Sequence, residues 1–416
     1  MKIYVEDYGC TANKNDTSIL LGILKQDRHR IVKKIDDADV LILVTCTVIG
    51  TTEQRMLSRL KVFKKTNKKL VVTGCMAAVQ PDLIRSIAPD AKILPPRYNH
   101  HILDIIMEKK DIAFVEKNKT LMPKYYHGIT APIAIAEGCT SSCSYCITRF
   151  ARGKLTSYPI HEIIQDIHAA LKQGCKEIQI TAQDTASYGL DTGSNLARLL
   201  SEICSIKASF KIRVGMMNPF TTLKNLDSIL EAYADNKIYK FLHLPVQSGD
   251  NTILKRMNRG YTVEDFMGII RRFRKRYPEI TIATDIIVGF PGETKEHFQH
   301  TIDLIKKTKP DVVNITRYST RPYTEAKKMK KIPTDIVKER SKKLTEICKK
   351  IAETNNLRHV GKKYDILIVE KGKNNTYIGR TENYKPIVIK EKVKIGSFVT
   401  VEIKNAETTH LVGKLI

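Results

Sequence analysis

Residues 139–146 read Cys139-Thr140-Ser141-Ser142-Cys143-Ser144-Tyr145-Cys146. Three thiolates this close in sequence can surround one metal centre only if the backbone loops, and Thr140, Ser141, Ser142 and Ser144 are small and polar enough to let it. Zinc is the first rival, but a structural zinc site takes four ligands, usually as paired Cys or Cys/His motifs. No fourth Cys and no paired His stands near this run. Three cysteines on a four-iron cluster leave one iron free of protein ligands and open to a small molecule. The competing structural reading is three small buried side chains.

Working outward, the motif follows an apolar run, Ile133–Glu137. Further strand-like runs recur at Glu177–Thr181, Lys211–Gly215, Ile238–Leu244, Thr281–Gly289 and Val312–Tyr318, with helical patterns between them. In the stretch HEIIQDIHAALKQG, Ile163, Ile164, Ile167 and Leu171 share one stripe and Gly174 offers a C-cap. Six β/α units predict a partial (β/α)6 barrel, open where a TIM barrel closes with eight.

Upstream, KIYVEDYGC ends at Cys10, DVLILVTC at Cys46 and KLVVTGC at Cys75, each run followed by a helical pattern. Short apolar strands with helical spacers predict a parallel-sheet α/β domain. Strand C-termini in such a sheet share one edge, where ligand sites form. Cys10, Cys46 and Cys75 are therefore expected on that edge, where three thiols can hold a second cluster; taken singly, each also reads as a small buried residue. Cys175, Cys204 and Cys348 show no such pattern and read as core or surface residues.

The 416 residues predict two to three domains. We place the N-terminal α/β domain at 1–112, the barrel at 125–355, and a third unit at 356–416, with a loose connector over about 112–130. Residues 327–350 read as a long charged helix. The third unit alternates short strands (YDILIVE, TYIGRT, PIVIK, FVTVEIK) with Gly and Asn turns, the pattern of a small antiparallel β-barrel of oligonucleotide-binding style. Lys362, Lys363, Arg380, Lys385 and Lys390 are its candidates for tracking phosphates, and Tyr377 or Tyr384 for stacking a base.

Seventy Lys and Arg face forty-four Asp and Glu, a net of +26. Such a field favours a polyanion, nucleic acid first, against the plainer reading of lysines scattered over solvated faces. No run approaches a membrane span, and Glu6 and Asp7 interrupt the first apolar run, so it reads as a strand and not a signal peptide. Thinly spread cysteines argue against a disulfide scaffold. The expected location is the cytoplasm, with no membrane partner.

Taken together, CTSSCSYC at the end of a first barrel strand, the cysteines in YGCTAN, TCTV and TGCM, and a C-terminal segment containing TYIGRTENYKPIVI resemble the radical S-adenosylmethionine methylthiotransferases over essentially the whole chain. TAQDTASYGLD, HLPVQSGDNTIL, DIIVGFPGET and RYSTRPYTEA are family-like too. The run ITRFARGKLTSYP, and RVGMMNP, look like the archaeal and eukaryotic branch, which acts on N6-threonylcarbamoyladenosine at position 37 of tRNA, beside the anticodon. The runners-up are enzymes acting on isopentenyladenosine tRNA or on a ribosomal protein, and, in another class, a non-catalytic iron–sulfur RNA-binding protein.

The resemblance implies two 4Fe–4S clusters and S-adenosylmethionine. Cys139, Cys143 and Cys146 would hold the radical cluster, and Cys10, Cys46 and Cys75 an auxiliary cluster that carries or donates sulfur. Tyr145 would sit against the adenine and Gly289 near the S-adenosylmethionine. Gln183, Asp184 and Gln247, at strand ends on the barrel mouth, are further cofactor candidates, although polar residues also close strands simply as turn formers. Arg149 and Arg152 would steady the cluster's charge, meet RNA phosphate, or form surface salt bridges. The implied partners are the anticodon loop of tRNA, an electron donor and a sulfur source.

Overall fold

The computed structural model describes residues 1–109 and 112–416; residues 110–111, near the end of the first expected unit, lie outside the described residues. The three apolar runs that end in cysteine become neighbouring strands. β1 (Lys2–Asp7), β2 (Arg30–Val32), β3 (Val40–Thr45), β4 (Lys69–Gly74) and β5 (Lys92–Leu94) form one sheet in the order β2-β1-β3-β4-β5, parallel throughout. β3 lies at its centre and is buried along its whole length, which is why it is apolar without alternation. Ile19, Leu20 and Leu24 from the helix Thr11–Gln26 cover one face. Met56, Leu60 and Phe63 from the helix Gly50–Lys64 cover the other.

The central unit begins with β6 (Thr130–Ala134). An antiparallel pair, β7 (Ala136–Glu137) with β8 (Thr156–Ser157), then brackets the cysteine loop. β9 (Glu177–Thr181), β10 (Lys211–Val214), β11 (Phe241–His243), β12 (Thr281–Val288) and β13 (Val312–Arg317) follow. They pair as β10-β9-β6 and β11-β12-β13, and a parallel bridge between Ile212 and Ile238 joins the two sheets. The result is the open six-stranded barrel that the spacing predicts. Its first strand starts three residues earlier than expected, because Pro132 pairs with Gln179 within it; β6 is an edge strand, where a missing N–H is tolerated.

The long helix Thr334–Leu357 returns across the barrel to β14 (Lys363–Lys371), β15 (Tyr377–Arg380), β16 (Pro386–Ile389), β17 (Phe398–Ala406) and β18 (Leu411–Leu415). These close into a barrel, β14-β15-β16-β18-β17, around Ile366, Ile368, Ile387, Ile389, Val401 and Ile403. This small barrel docks on the N-terminal ends of the central strands. Lys240 N donates to Glu382 O at 2.7 Å, Asn383 Nδ2 to Glu279 O at 3.1 Å and Lys385 Nζ to Asp311 Oδ1 at 2.8 Å.

The connector expected to be loose is not so throughout. Lys119, in a short 3-10 turn, is buried and pairs with Asp16 at 2.7 Å and Glu137 at 2.8 Å. It pins the first domain to the second, a role that its polar, Lys-rich surroundings conceal.

Candidate active site

The cysteine loop is shaped by close backbone contacts. Gly138 has φ +78, and a Cβ there would lie 1.9 Å from Lys154 O, so no side chain fits. Cys139 N donates to Gly153 O at 3.1 Å, and Ser144 N to Met257 O at 3.0 Å. Ser141 N donates to Cys139 Sγ at 3.3 Å. Burial pushes the Cys139 thiol up to about 11, and the Cys146 thiol also upward. Arg259, which the sequence reading missed, is buried and donates from a terminal nitrogen to Cys143 Sγ at 3.2 Å. Tyr261 Oη at 3.0 Å and Pro245 O at 3.2 Å hold its other nitrogens.

The second set obeys strand register. Thr45 pairs with Gly74 across β3 and β4, so Cys46 and Cys75 are the next residues on neighbouring strands. Gly74 has φ +86 and comes so close to Thr45 O that a Cβ would stand 2.3 Å away. Cys10 follows Gly9, whose φ of +111 turns the chain out of β1 into the helix. A Cβ on Gly9 would stand 3.0 Å from Cys46 Cβ, which brings the first cysteine's turn against the second cysteine. Asn13 then ties all three turns together. Its Nδ2 donates to Tyr8 O at 2.7 Å and Thr45 O at 2.9 Å, and its Oδ1 accepts from the Cys75 thiol at 3.8 Å.

One arginine links the two sets. Arg152, for which the sequence left steadying the cluster's charge, an RNA contact and a surface salt bridge open, is only 2% exposed. It donates to Asn13 Oδ1 and Glu137 Oε1, both at 2.8 Å, and pairs with Asp16 at 2.7 Å. Burial alone would push the Glu137 carboxyl up; Lys119 and Arg152 more than reverse this and hold it at about 2. Two acidic and two basic side chains, Asp16, Glu137, Lys119 and Arg152, thus form a closed network between the domains, with Glu137 one residue ahead of the Gly138–Cys139 turn.

The donor chemistry fits iron–sulfur clusters. Burial pushes Cys46 up to about 12 and Cys75 also upward, with the charge of Arg152 opposing in both cases. Thiols in such surroundings are neutral on their own, and a metal centre converts them to thiolates outright. Each set offers three sulfurs and a buried guanidinium that offsets anionic charge. Among the described residues no group of three His, Cys, Asp or Glu side chains is arranged to hold a single metal ion.

The other cofactor candidates divide. Gln183 stays beside the loop, its Oε1 accepting from Gly138 N at 2.6 Å. Tyr145 is half-buried with its ring edge toward Phe290, centroids 6.3 Å apart. Gln247 is held at φ +73 by pairing with Asp285 and Ile287. Asp184 is turned inward: it accepts from Ala186 N, Asn218 N and Thr221 Oγ1, so it works as the turn former. Gly289 has φ +77, and a Cβ there would meet Val337 at 2.4 Å, so the approach of the helix Thr334–Leu357 accounts for it. It also lines a cavity of about 590 Å³ with Gly50, Thr51, Tyr318 and Ser319, between the first domain and the barrel.

Residues 2–94 match an uncharacterized protein family, UPF0004, residues 133–305 the radical SAM superfamily and residues 357–416 the TRAM domain. A probable threonylcarbamoyladenosine tRNA methylthiotransferase of Pyrococcus abyssi is 43% identical over the whole of both chains. This chain belongs to the threonylcarbamoyladenosine tRNA methylthiotransferases. A probable member from Methanocaldococcus jannaschii is 41% identical over 100% of this chain and 97% of its own. The Homo sapiens member is 31% identical over 97% of this chain and 72% of its own. A radical S-adenosylmethionine methyltransferase, TsrM of Kitasatospora setae, shares the fold at 14% identity, with a TM-score of 0.57 over 78% of this chain and 75% of that one.

The TRAM barrel of this methylthiotransferase corrects part of the RNA expectation. Lys385 is 6% exposed and held by Asp311 and Asn356. The Tyr384 ring packs on Tyr239 and Phe241 at 4.8 and 5.0 Å, and Arg380 lies over that ring at 4.8 Å. Lys385 and Tyr384 fasten the TRAM barrel to the central one; a basic–aromatic pattern looks the same in sequence whether it meets RNA or protein. Tyr377 is half-buried against the TRAM core. Lys362, Lys363 and Lys390 are exposed, with Lys362 Nζ 3.5 Å from Glu279. Among the described residues no helix is long and apolar enough to cross a membrane.

Proposed function

We infer that the protein converts N6-threonylcarbamoyladenosine at position 37 of tRNA to its 2-methylthio derivative. The observation that carries this reading is the pair of three-thiol sets, each beside a buried arginine and joined by one buried ionic network. Family membership supplies S-adenosylmethionine and 4Fe–4S clusters. In this reading Cys139, Cys143 and Cys146 hold one cluster and Cys10, Cys46 and Cys75 the other. The bound groups supply one-electron cleavage of S-adenosylmethionine and a sulfur route to an aromatic carbon whose C–H bond is too inert for acid–base chemistry.

This chain's own residues do the placing. Gln183 and Gly138 fix the entry to the loop. Arg259 and Arg152 offset thiolate charge in a water-poor setting, where electrostatic effects are strong. Asn13 holds the three strand-end turns at one spacing. Tyr145, Gln247 and Gly289 border the space for S-adenosylmethionine, while Lys362, Lys363 and Lys390 meet RNA phosphate. An electron donor and a sulfur source complete the partners, and the cytoplasm is the compartment that suits them.

The test is nucleoside mass spectrometry after anaerobic incubation with S-adenosylmethionine, a reductant and tRNA carrying threonylcarbamoyladenosine. Appearance of the 2-methylthio nucleoside is expected. 5′-Deoxyadenosine without that product would overturn the substrate and turn attention to isopentenyladenosine tRNA or a ribosomal protein. Neither product from cluster-loaded protein would leave a binding protein.

A further inference from the structure

Two aromatic rings stand in solvent at the barrel mouth. Phe150, on the short helix after the cysteine loop, is 45% exposed and Tyr323 is 64% exposed. Their centroids are 5.9 Å apart. Large apolar rings left in water at a concave site mark a binding surface more often than single scattered residues do.

Tyr323 is held there by its neighbours. Its φ is +64, a left-handed conformation that is an outlier for a bulky side chain. On one side Arg321 is buried and donates to Glu53 Oε2 at 2.5 Å and to Thr47 O at 3.3 Å; Thr47 directly follows Cys46. On the other side Thr324 is buried, and Ala326 N donates to Ser144 O at 2.8 Å, inside the cysteine loop. The loop is therefore pinned to both thiol sets, and the residue between the pins points outward. Strain maintained by such anchors tends to coincide with function.

The surroundings select the ligand. The Arg149 guanidinium lies 5.3 Å from the Phe150 ring centre. Arg149 and Lys154 line a cavity of about 560 Å³ with Cys139 and Phe150. Aromatic rings beside cations, on a chain of net charge +26, suit a nucleobase with its phosphate. We propose that Phe150 and Tyr323 form a stacking platform for an unpaired base flanking the target adenosine, holding the RNA strand while the target enters between the two thiol sets. This rests on the RNA reading of function above.

The experiment uses the full-length, cluster-loaded protein and an anticodon stem-loop with 2-aminopurine beside position 37. Fluorescence titration gives affinity and stacking together. Tyr323→Gly removes the ring and also relieves the left-handed strain, so its thermal midpoint should be equal to or above that of the unmodified protein. Its affinity should fall about 5- to 150-fold, the range for losing one stacked base, and the quenching should vanish. Phe150→Ala should behave similarly in binding, and Tyr323→Phe should retain both signals. Equal affinity and quenching in Tyr323→Gly and the unmodified protein would overturn the platform. If the unmodified protein itself fails to bind the stem-loop at low salt, the RNA reading fails instead.

Discussion

The two thiol sets reach similar chemistry by opposite routes. Cys139, Cys143 and Cys146 are neighbours in sequence, and their loop is closed by local backbone contacts. Cys10, Cys46 and Cys75 are neighbours only because β1, β3 and β4 are adjacent and in register. A local set survives as long as its loop does. A dispersed set depends on a whole sheet, and here Asn13 bridges the three turns. Each set also has one buried arginine, but of different kinds. Beside Cys143 Sγ, the hydrogen-bonding partners of Arg259 are uncharged oxygens, whereas Arg152 faces two carboxylates.

The sharpest way to break the comparison is to remove one cysteine from each set. Cys143→Ala should abolish both 5′-deoxyadenosine and methylthio product. Cys46→Ala should leave 5′-deoxyadenosine forming while the methylthio product disappears. Each should lose about half of the iron if two like clusters are present. Identical behaviour of the two variants, by iron analysis and product chromatography, would erase the distinction between the sets.

The arginines separate next. Arg152→Met leaves Asp16 and Glu137 buried with only Lys119 between them, and removing one partner of a buried pair destabilises by about 3–5 kcal/mol. Arg259→Met leaves no carboxylate without its partner, only Cys143 Sγ and uncharged oxygens, which costs about 1–3 kcal/mol. Denaturant unfolding of the two metal-free variants should rank them in that order. The reverse order would mean that the interdomain network is not the stronger tie.

The smallest effect concerns the TRAM barrel. Lys390→Ala should lower the salt slope of tRNA binding by about one unit, because one phosphate contact is lost. Lys385→Ala should leave that slope unchanged while lowering the unfolding midpoint, since Lys385 meets Asp311 and not solvent. A changed slope for Lys385→Ala would return it to the RNA surface.

Much of this was legible in the chain. Apolar runs ending in cysteine located β3 and β4, because buried parallel strands must be apolar on both faces, and β1 was located by its shorter β-rich run ending at Cys10. The CxxxCxxC loop needed no tertiary information at all. Asn13, Arg259 and Lys119 were not legible as site residues, and for Arg152 the sequence left a cluster-side role, an RNA contact and a surface salt bridge undecided. Each meets at least one partner more than a hundred residues away, as Arg152 meets Asn13, Arg259 meets Cys143 and Lys119 meets Asp16, and nothing local distinguishes a buried arginine from a solvated one. Tyr384 and Lys385 misled for the same reason.

The seat of the TRAM barrel has a consequence for the size of the RNA. It grips the N-terminal ends of the central strands, while the cysteines open at the other end. The protein is therefore a gauge with two marks, one electrostatic and one chemical, and a substrate reaching both must run along the side of the barrel. Trimming a tRNA from its outer end inward should first reduce residence time on the enzyme and only later stop the reaction.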